Sequence, residues 1–386
     1  MIILDKVYIS PRMRAYMAQT QHPVVDTPTA RAVVAEGCNL NLIAEDEAVR
    51  RIDAGERLYT NAEATLSWVT SHVHNPNLLR ALSIFKDKAR TREILAPMFP
   101  DYAFTTCTIE ELMAMPYPEE RAPFVLKPSV GFLSIGVYVI ESENDWNHAR
   151  TDIEAHRSLW ATQYDASVVG STCFILEPML TGVEYAIDAY YDADGKAHIL
   201  DILQHDFANE SDTSDRLYYT GPRIIREQGA RMLDFLTKAN DLIKVHDIPV
   251  HLEVRVNNGR VYPIEFNPLR FAGLGSTEIS SYAYGFYTYD YYLNDKDPDW
   301  KSLLAGDSDD LYCMSAIAPS TAVPTDSSFD YDAFAQQLDH VLSLDHFNYA
   351  ASGLFAFMFW RTSATNDKER TWLLNDDLMS FVRHES

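Results

Sequence analysis

Basic residues are scarce in this 386-residue chain: 32 Lys and Arg stand against 56 Asp and Glu, a formal charge of −24. No run of Lys or Arg offsets that balance, so the chain would repel a phosphate backbone, and a nucleic-acid reader is excluded. Cysteine is sparse too. Cys38, Cys107, Cys173 and Cys313 lie far apart without a CxxC pair, which suits ordinary thiols in a reducing cytoplasm. Long hydrophobic runs are missing: the apolar stretch 353–360 falls well short of the roughly 20 residues a membrane helix needs. The first residues, Met1 to Ile9, are broken by Asp5 and Lys6 and read as a buried strand, not a signal peptide. There is no internal repeat or low-complexity tract, and His72 and His74 lack the third neighbour a zinc site requires.

What is present suffices for cores. Apolar residues make up 47% and aromatics 12%, and the length exceeds one ordinary core, so two or three compact units are expected. From 1 to 85, short apolar runs alternate with helix-like stretches such as 11–19 and 62–73, the rhythm of a small α/β unit with a parallel sheet. A second unit, 86–170, opens on a charged helix at 87–95 and contains two β-rich runs and a polar helix from 143 to 161. A third, 171–305, carries strands at 174–176, 184–191 and 198–203, a polar loop at 206–223, a helix at 229–245 and a hairpin of 251–256 with 260–266. Asn257-Asn258-Gly259 between those last runs is a strong hairpin signal. A closing α+β lobe, 306–386, is expected to hold a strand at 311–318, a helix at 331–344 and a strand at 354–360. The aromatic cluster 282–292 reads as a packed helix face.

Three constellations carry chemistry. In the first, Lys127 ends an apolar run and is followed by the small residues Ser129, Gly131, Ser134 and Gly136, so backbone N–H groups can approach an anion that Lys127 also reaches. A glycine-containing β-turn reads the same way. The segment lacks Gly-Lys-Ser/Thr and runs into a strand, so it is neither a Walker A loop nor a dinucleotide fingerprint. In the second, Glu253 lies on one hairpin strand while Glu265 and Asn267, two residues apart, share a face of its partner. Three converging oxygen donors suit a hard cation such as Mg²⁺, which binds through few carboxylates plus substrate phosphates; the alternative is an exposed polar face. His251 shares the face of Glu253. In the third, Glu177 and Glu184 flank a Gly turn containing Leu180, an arrangement able to hold a base amino group, a base edge through the Leu180 backbone, and ribose hydroxyls, or simply a surface turn.

Together and in this order, these segments resemble the ATP-grasp superfamily of ATP-dependent carboxylate ligases, over roughly residues 86 to 290. The resemblance implies an ATP-grasp fold of α/β and α+β character: an amino-terminal parallel-sheet domain, a small ATP-binding lobe and a larger antiparallel lobe. It implies that Lys88, with Lys86 as second choice, and Lys127 contact the nucleotide phosphates, and that Ser129 to Gly136 form the flexible glycine loop. Glu177 and Leu180 would hold adenine and Glu184 the ribose. Glu253, Glu265 and Asn267 would bind two Mg²⁺ ions, with Mn²⁺ as a substitute. The sequence departs from the commoner Asn-Pro-Arg by the intervening Leu269 before Arg270, the residue matched to the family arginine. The polar loop 206–223 occupies the place of a lid, making Arg216 a candidate contact to the γ-phosphate and His205 a candidate base towards the amine; a solvated arginine paired with Asp212 or Asp215, and a structural histidine, are the alternatives. Gly273 to Thr277 are a candidate anion-holding turn.

The function implied is activation of a small carboxylate, an amino acid or related acid, as an acylphosphate that an amine then attacks. A phosphotransferase on the same fold and a non-catalytic ATP-binding regulator are the alternatives. Small-molecule acid and amine are the expected partners, in a soluble cytoplasmic protein with no membrane or nucleic acid and with a homodimer allowed.

Overall fold

The computed structural model describes residues 1–6, 8–131, 136–163, 173–209, 212, 214–306 and 308–383. Four short parallel strands, β1 (Ile2–Ile3), β2 (Pro23–Val25), β3 (Asn41–Ile43) and β4 (Tyr59–Thr60), make the amino-terminal sheet in the order β3-β2-β1-β4. The helices around it start where the sequence supplies a cap followed by proline. Ser10 caps Pro11–Thr20, Thr27 caps Pro28–Ala35 and Asn75 caps Pro76–Phe85, each side-chain oxygen accepting from a first-turn N–H that would otherwise be orphaned.

The second sheet is antiparallel: β5 (Thr105–Thr108), β6 (Phe124–Pro128), β7 (Tyr138–Ile140) and β8 (Cys173–Pro178), in the order β5-β8-β6-β7. It has its own core of Phe124, Leu126, Ile140, Trp146, Phe174 and Leu176, which the helix Glu143–Gln163 covers through Trp146, Ala149 and Ile153. Strand β8 pairs here with β5 and β6, although the boundary expected after residue 170 placed it in the next unit.

The third sheet has eight strands. They are β9 (Val183–Tyr191), β10 (Ala197–His205), β11 (Tyr218–Thr220), β12 (Ile248–Asn257), β13 (Arg260–Pro268) and β14 (Asp310–Ile317), continued by β16 (Val341–His346) and β17 (Ala356–Ser363). The intervening β15 (Ser328–Phe329) pairs apart, with β18 (Val382–Arg383). The order β13-β12-β9-β10-β11-β14-β17-β16 is antiparallel throughout, so the carboxy-terminal segment extends the central sheet. Val250, Leu252 and Val254 of β12 are fully buried in the core that also holds Met232, Phe235, Leu236 and Ala239 of the helix Pro222–Ile243. Alternation then puts His251, Glu253 and Arg255 on the opposite face.

Three segments depart from the sequence reading. The polar loop is shorter, because Tyr218–Thr220 fills the gap between β10 and β14 and the following helix starts at Pro222, not 229. The helix expected over 331–344 stops at Ala335, and 341–346 becomes β16, since β17 offers backbone partners and Glu369 Oε1 accepts the Asp339 N–H at 2.6 Å. Tyr282 to Tyr292 lie on two short helices, Ile279–Tyr284 and Thr288–Leu293, rather than one. No helix among the described residues is long and apolar enough to cross a membrane.

Candidate active site

Asp87 caps the helix Lys88–Leu95 by accepting from the N–H groups of Ala89 and Arg90, and the Lys88 N–H donates to the Ser129 carbonyl at 2.8 Å. That fixes Lys88 at the first helical position with its side chain buried against β13. Its Nζ lies 3.0 Å from Glu265 Oε1 and 3.3 Å from the Gly131 carbonyl. One turn on, Arg92 shares that helix face. Its Nε donates to Glu177 Oε2 at 3.0 Å and its Nη2 to the Ile264 carbonyl at 3.0 Å, while Lys127 Nζ approaches Glu177 Oε1 to 2.5 Å. Burial would push the Glu177 carboxyl up, but Arg92 and Lys127 outweigh it and hold it at about 2. Both Glu177 oxygens are thus engaged by cations, so here it orders Lys127 rather than presenting a free acceptor to a base.

The segment between β6 and β7 is described at both ends. The Ser129 N–H is spent on the Cys173 carbonyl at 2.8 Å, and Gly136 takes φ +75°, a conformation that favours glycine. Ser134 lies outside the described residues.

The hairpin register sets Glu253 opposite Glu265 and His251 opposite Asn267, with a bulge just beyond Glu253. Across β9 the same row reads Arg255 opposite Glu184, Glu253 opposite Ala186 and His251 opposite Asp188. The two glutamates differ: burial and the charge of Glu265 push the Glu253 carboxyl up, whereas for Glu265 burial is outweighed by Lys88 and Lys86, which hold it below the usual carboxylate range. Glu265 has the Lys88 ammonium at 3.0 Å, whereas the nearest basic group to Glu253 is the His251 ring, its Nε2 at 3.8 Å. No group of three His, Cys, Asp or Glu among the described residues forms a ready metal cluster. Two carboxylates and the Asn267 amide are oxygen donors of the kind Mg²⁺ takes.

His251 is oriented from behind: its Nδ1 lies 2.7 Å from Asp188 Oδ1, and Asp188 also accepts from the Ala272 N–H and Thr277 Oγ1. Thr277 therefore braces Asp188. At the other end of the row, Glu184 is held by His205 Nδ1 at 3.0 Å and by Arg255 Nε at 3.0 Å, and Arg255 Nη1 donates to the Leu180 carbonyl at 2.8 Å.

Two candidates change role. His205 has its second ring nitrogen 3.1 Å from the Ser214 carbonyl and is stacked on Tyr218, so it supports Glu184 and has no nitrogen free to act as a base. Arg216 turns away from the cleft. It donates to the carbonyls of Asp376 at 2.6 Å and Ala318 at 2.7 Å, tying the loop to the end of the helix Lys368–Asn375. Arg270 stays in the cleft. Leu269, buried and at φ +63°, turns the chain so that Arg270 Nη2 lies 3.6 Å from Glu63 and within the field of Glu253 and Glu265. Sequence reasoning missed Arg92, Arg255, Asp188 and Glu63. The i, i+4 spacing of Arg92 from Lys88 was a usable signal; Asp188 and Glu63 had none.

The family model described as ATP-grasp domain matches residues 120–278. No curated protein sequence matches the chain significantly. Among solved structures, the chain is similar to an L-amino acid ligase from Bacillus licheniformis, with TM-score 0.69 and 17% identity, covering 99% of this chain and 97% of that one. It is also similar to N5-carboxyaminoimidazole synthase from Aspergillus clavatus in complex with ADP and 5-aminoimidazole ribonucleotide, with TM-score 0.60, 14% identity and coverage of 98% and 97%. A third similar structure is the biotin carboxylase β-γ-ATP complex from Campylobacter jejuni, with TM-score 0.61, 11% identity and coverage of 94% and 87%. Residues 120–278 thus match an ATP-grasp domain, and the whole chain has the ATP-grasp fold.

Proposed function

We propose that the chain is an ATP-dependent carboxylate–amine ligase acting on an amino acid or similar small acid. The observation that carries this reading is the opposition of Glu253 and Glu265, with Asn267, on a sheet face whose neighbours are Lys88, Lys127 and Arg270. Carboxylate and triphosphate repel one another, and a site that joins them needs concentrated positive charge.

Lys88 and Lys127 bind phosphate oxygens, and Arg270 steadies the acid at the reacting end. Mg²⁺, held by Glu253, Glu265 and Asn267, would supply the remaining positive charge against the triphosphate. A carboxylate oxygen of the acid attacks the γ-phosphorus, and the bond to the departing ADP oxygen breaks. The amine nitrogen then attacks the acyl carbon; the C–N bond forms, the C–O bond to the phosphoryl group breaks, and the proton shed by the nitrogen leaves with the phosphate. Glu184, braced by His205 and Arg255, holds the nucleoside end.

The test uses purified protein, ATP, Mg²⁺ and the L-amino acids singly and in pairs, following ADP, phosphate and product mass. Acid-stimulated ADP release that Glu265→Gln abolishes is expected. No acid-stimulated release across the panel, or wild-type turnover by the variant, would overturn the reading, and a stable phosphate ester as product would make the protein a kinase instead.

A further inference from the structure

From the amino-terminal unit, Glu63 reaches the cations at the reacting end of the cleft. It sits in a single 3₁₀ turn, Glu63–Thr65, directly after β4. The turn is pinned on several sides. Asn61 Oδ1 accepts the Asp5 N–H at 2.7 Å and its Nδ2 donates to the Tyr8 carbonyl at 2.8 Å; the Ala64 N–H donates to Asp5 Oδ2 at 3.1 Å. The Thr60 N–H donates to the Leu269 carbonyl at 2.8 Å, fixing the turn to the residue that aims Arg270. The Glu63 carboxylate then forms an ion pair with Lys86 and lies 3.6 Å from Arg270 Nη2, and all three side chains are less than one-fifth exposed.

A largely buried charge must keep a partner. When an anionic acid or its acylphosphate arrives, Arg270 and Lys86 are the cations nearest to receive it, and each turned towards the ligand is one taken from Glu63. The turn cannot follow, because its backbone is pinned. A largely buried carboxylate losing its cations requires another cation, and an amine substrate arrives as one.

We propose that Glu63 receives the ammonium group of the amine substrate, exchanging its two protein cations for it as the acid takes their charge. Acid and amine are then held by neighbouring charges of opposite sign; the ammonium passes a proton to the Glu63 carboxylate, and the freed lone pair lies beside the acyl carbon, whereas hydroxylamine needs no such proton removed before attack. The inference rests on the ligase reading and adds to it the charge class of the second substrate: cationic amines, not neutral nucleophiles or thiols.

The test compares Glu63→Gln and Glu63→Asp with wild type in the full-length protein, using L-amino acids as cationic amines and hydroxylamine, uncharged at neutral pH, as a nucleophile that trails no ammonium. Thermal melting and binding of a non-hydrolysable ATP analogue verify the folded state. Removing a charge-assisted contact predicts that Glu63→Gln lowers kcat/KM for the cationic amines by about 30-fold more than for hydroxylamine, chiefly through KM, with Glu63→Asp recovering part of the loss. Equal losses for both nucleophiles would make Glu63 a structural residue and overturn the proposal. A lower KM for the acid in Glu63→Gln, without amine discrimination, would make Glu63 a competitor of the acid and also overturn it. Failure of the ligase reading looks different: wild type itself would form no acid-dependent ADP with either nucleophile, and the proposal would fall with it.

Discussion

Replacing Arg92 by Met tests whether the ion cluster around Glu177 is a structural keystone of the fold. The guanidinium makes a 3.0 Å contact to Glu177 Oε2 and another to the Ile264 carbonyl, and both Arg92 and Glu177 are under 5% exposed. A carboxyl moved from 4.5 to about 2 is stabilised in its ionised, folded form by about 3 kcal/mol. Removing one partner of a buried pair costs about 3–5 kcal/mol. Lys127 remains on the other Glu177 oxygen and places this case at the low end, so Arg92→Met should lose about 3 kcal/mol near neutral pH. The pH dependence follows from the sign. Because the folded-state carboxyl is depressed, its contribution is fully present above 4.5 and fades as pH falls towards 2. The gap between wild type and variant should therefore narrow below pH 4.5. Urea titrations followed by fluorescence at several pH values measure this directly. A difference below about 0.5 kcal/mol at neutral pH, or one that stays constant into acid, would refute the argument that burial makes this cluster costly to break.

Arg216→Met should destabilise the fold by about 2 kcal/mol, since the Asp376 and Ala318 carbonyls lose their donor, while KM for ATP holds; an unchanged unfolding midpoint with weakened ATP binding would return Arg216 to the triphosphate. Glu278, buried among Ser10, Arg12 and Tyr289, has its carboxyl pushed up to about 7, mainly by burial and against the pull of Ser10 and Arg12. Its stabilising contribution is therefore complete below 4.5 and lost as pH rises through about 7. Glu278→Gln should flatten that decline and match or exceed wild type above neutrality; a steeper alkaline decline in the variant's melting temperature would show that the ionised Glu278–Arg12 pair is the stabilising form.

Much of the fold was legible locally. Short apolar runs alternating with helix-like stretches marked the amino-terminal parallel-sheet unit, Asn-Gly marked the β12–β13 hairpin, and strand alternation put Glu253, Glu265 and Asn267 on a common face. These signals work because the interactions that carry them span few residues. Signals weakened where partners were distant. The segment 341–346 has no strong preference of its own and became a strand because β17 lay beside it.

Residue type and spacing alone determined the chemical inventory: an acidic chain with a lysine before a glycine loop, two spaced acids on a turn, and a carboxylate-rich hairpin. Tertiary structure decided which charges meet. Glu177 is satisfied by Arg92 and Lys127, from another helix and strand; Glu184 by His205 and Arg255; Arg216 by carbonyls more than a hundred residues away; and Glu63 by Lys86 and Arg270. The reason is physical. A buried charge is stabilised by whichever opposite charge or dipole packing brings within about 4 Å, and that neighbour depends on chain crossings that no local pattern encodes.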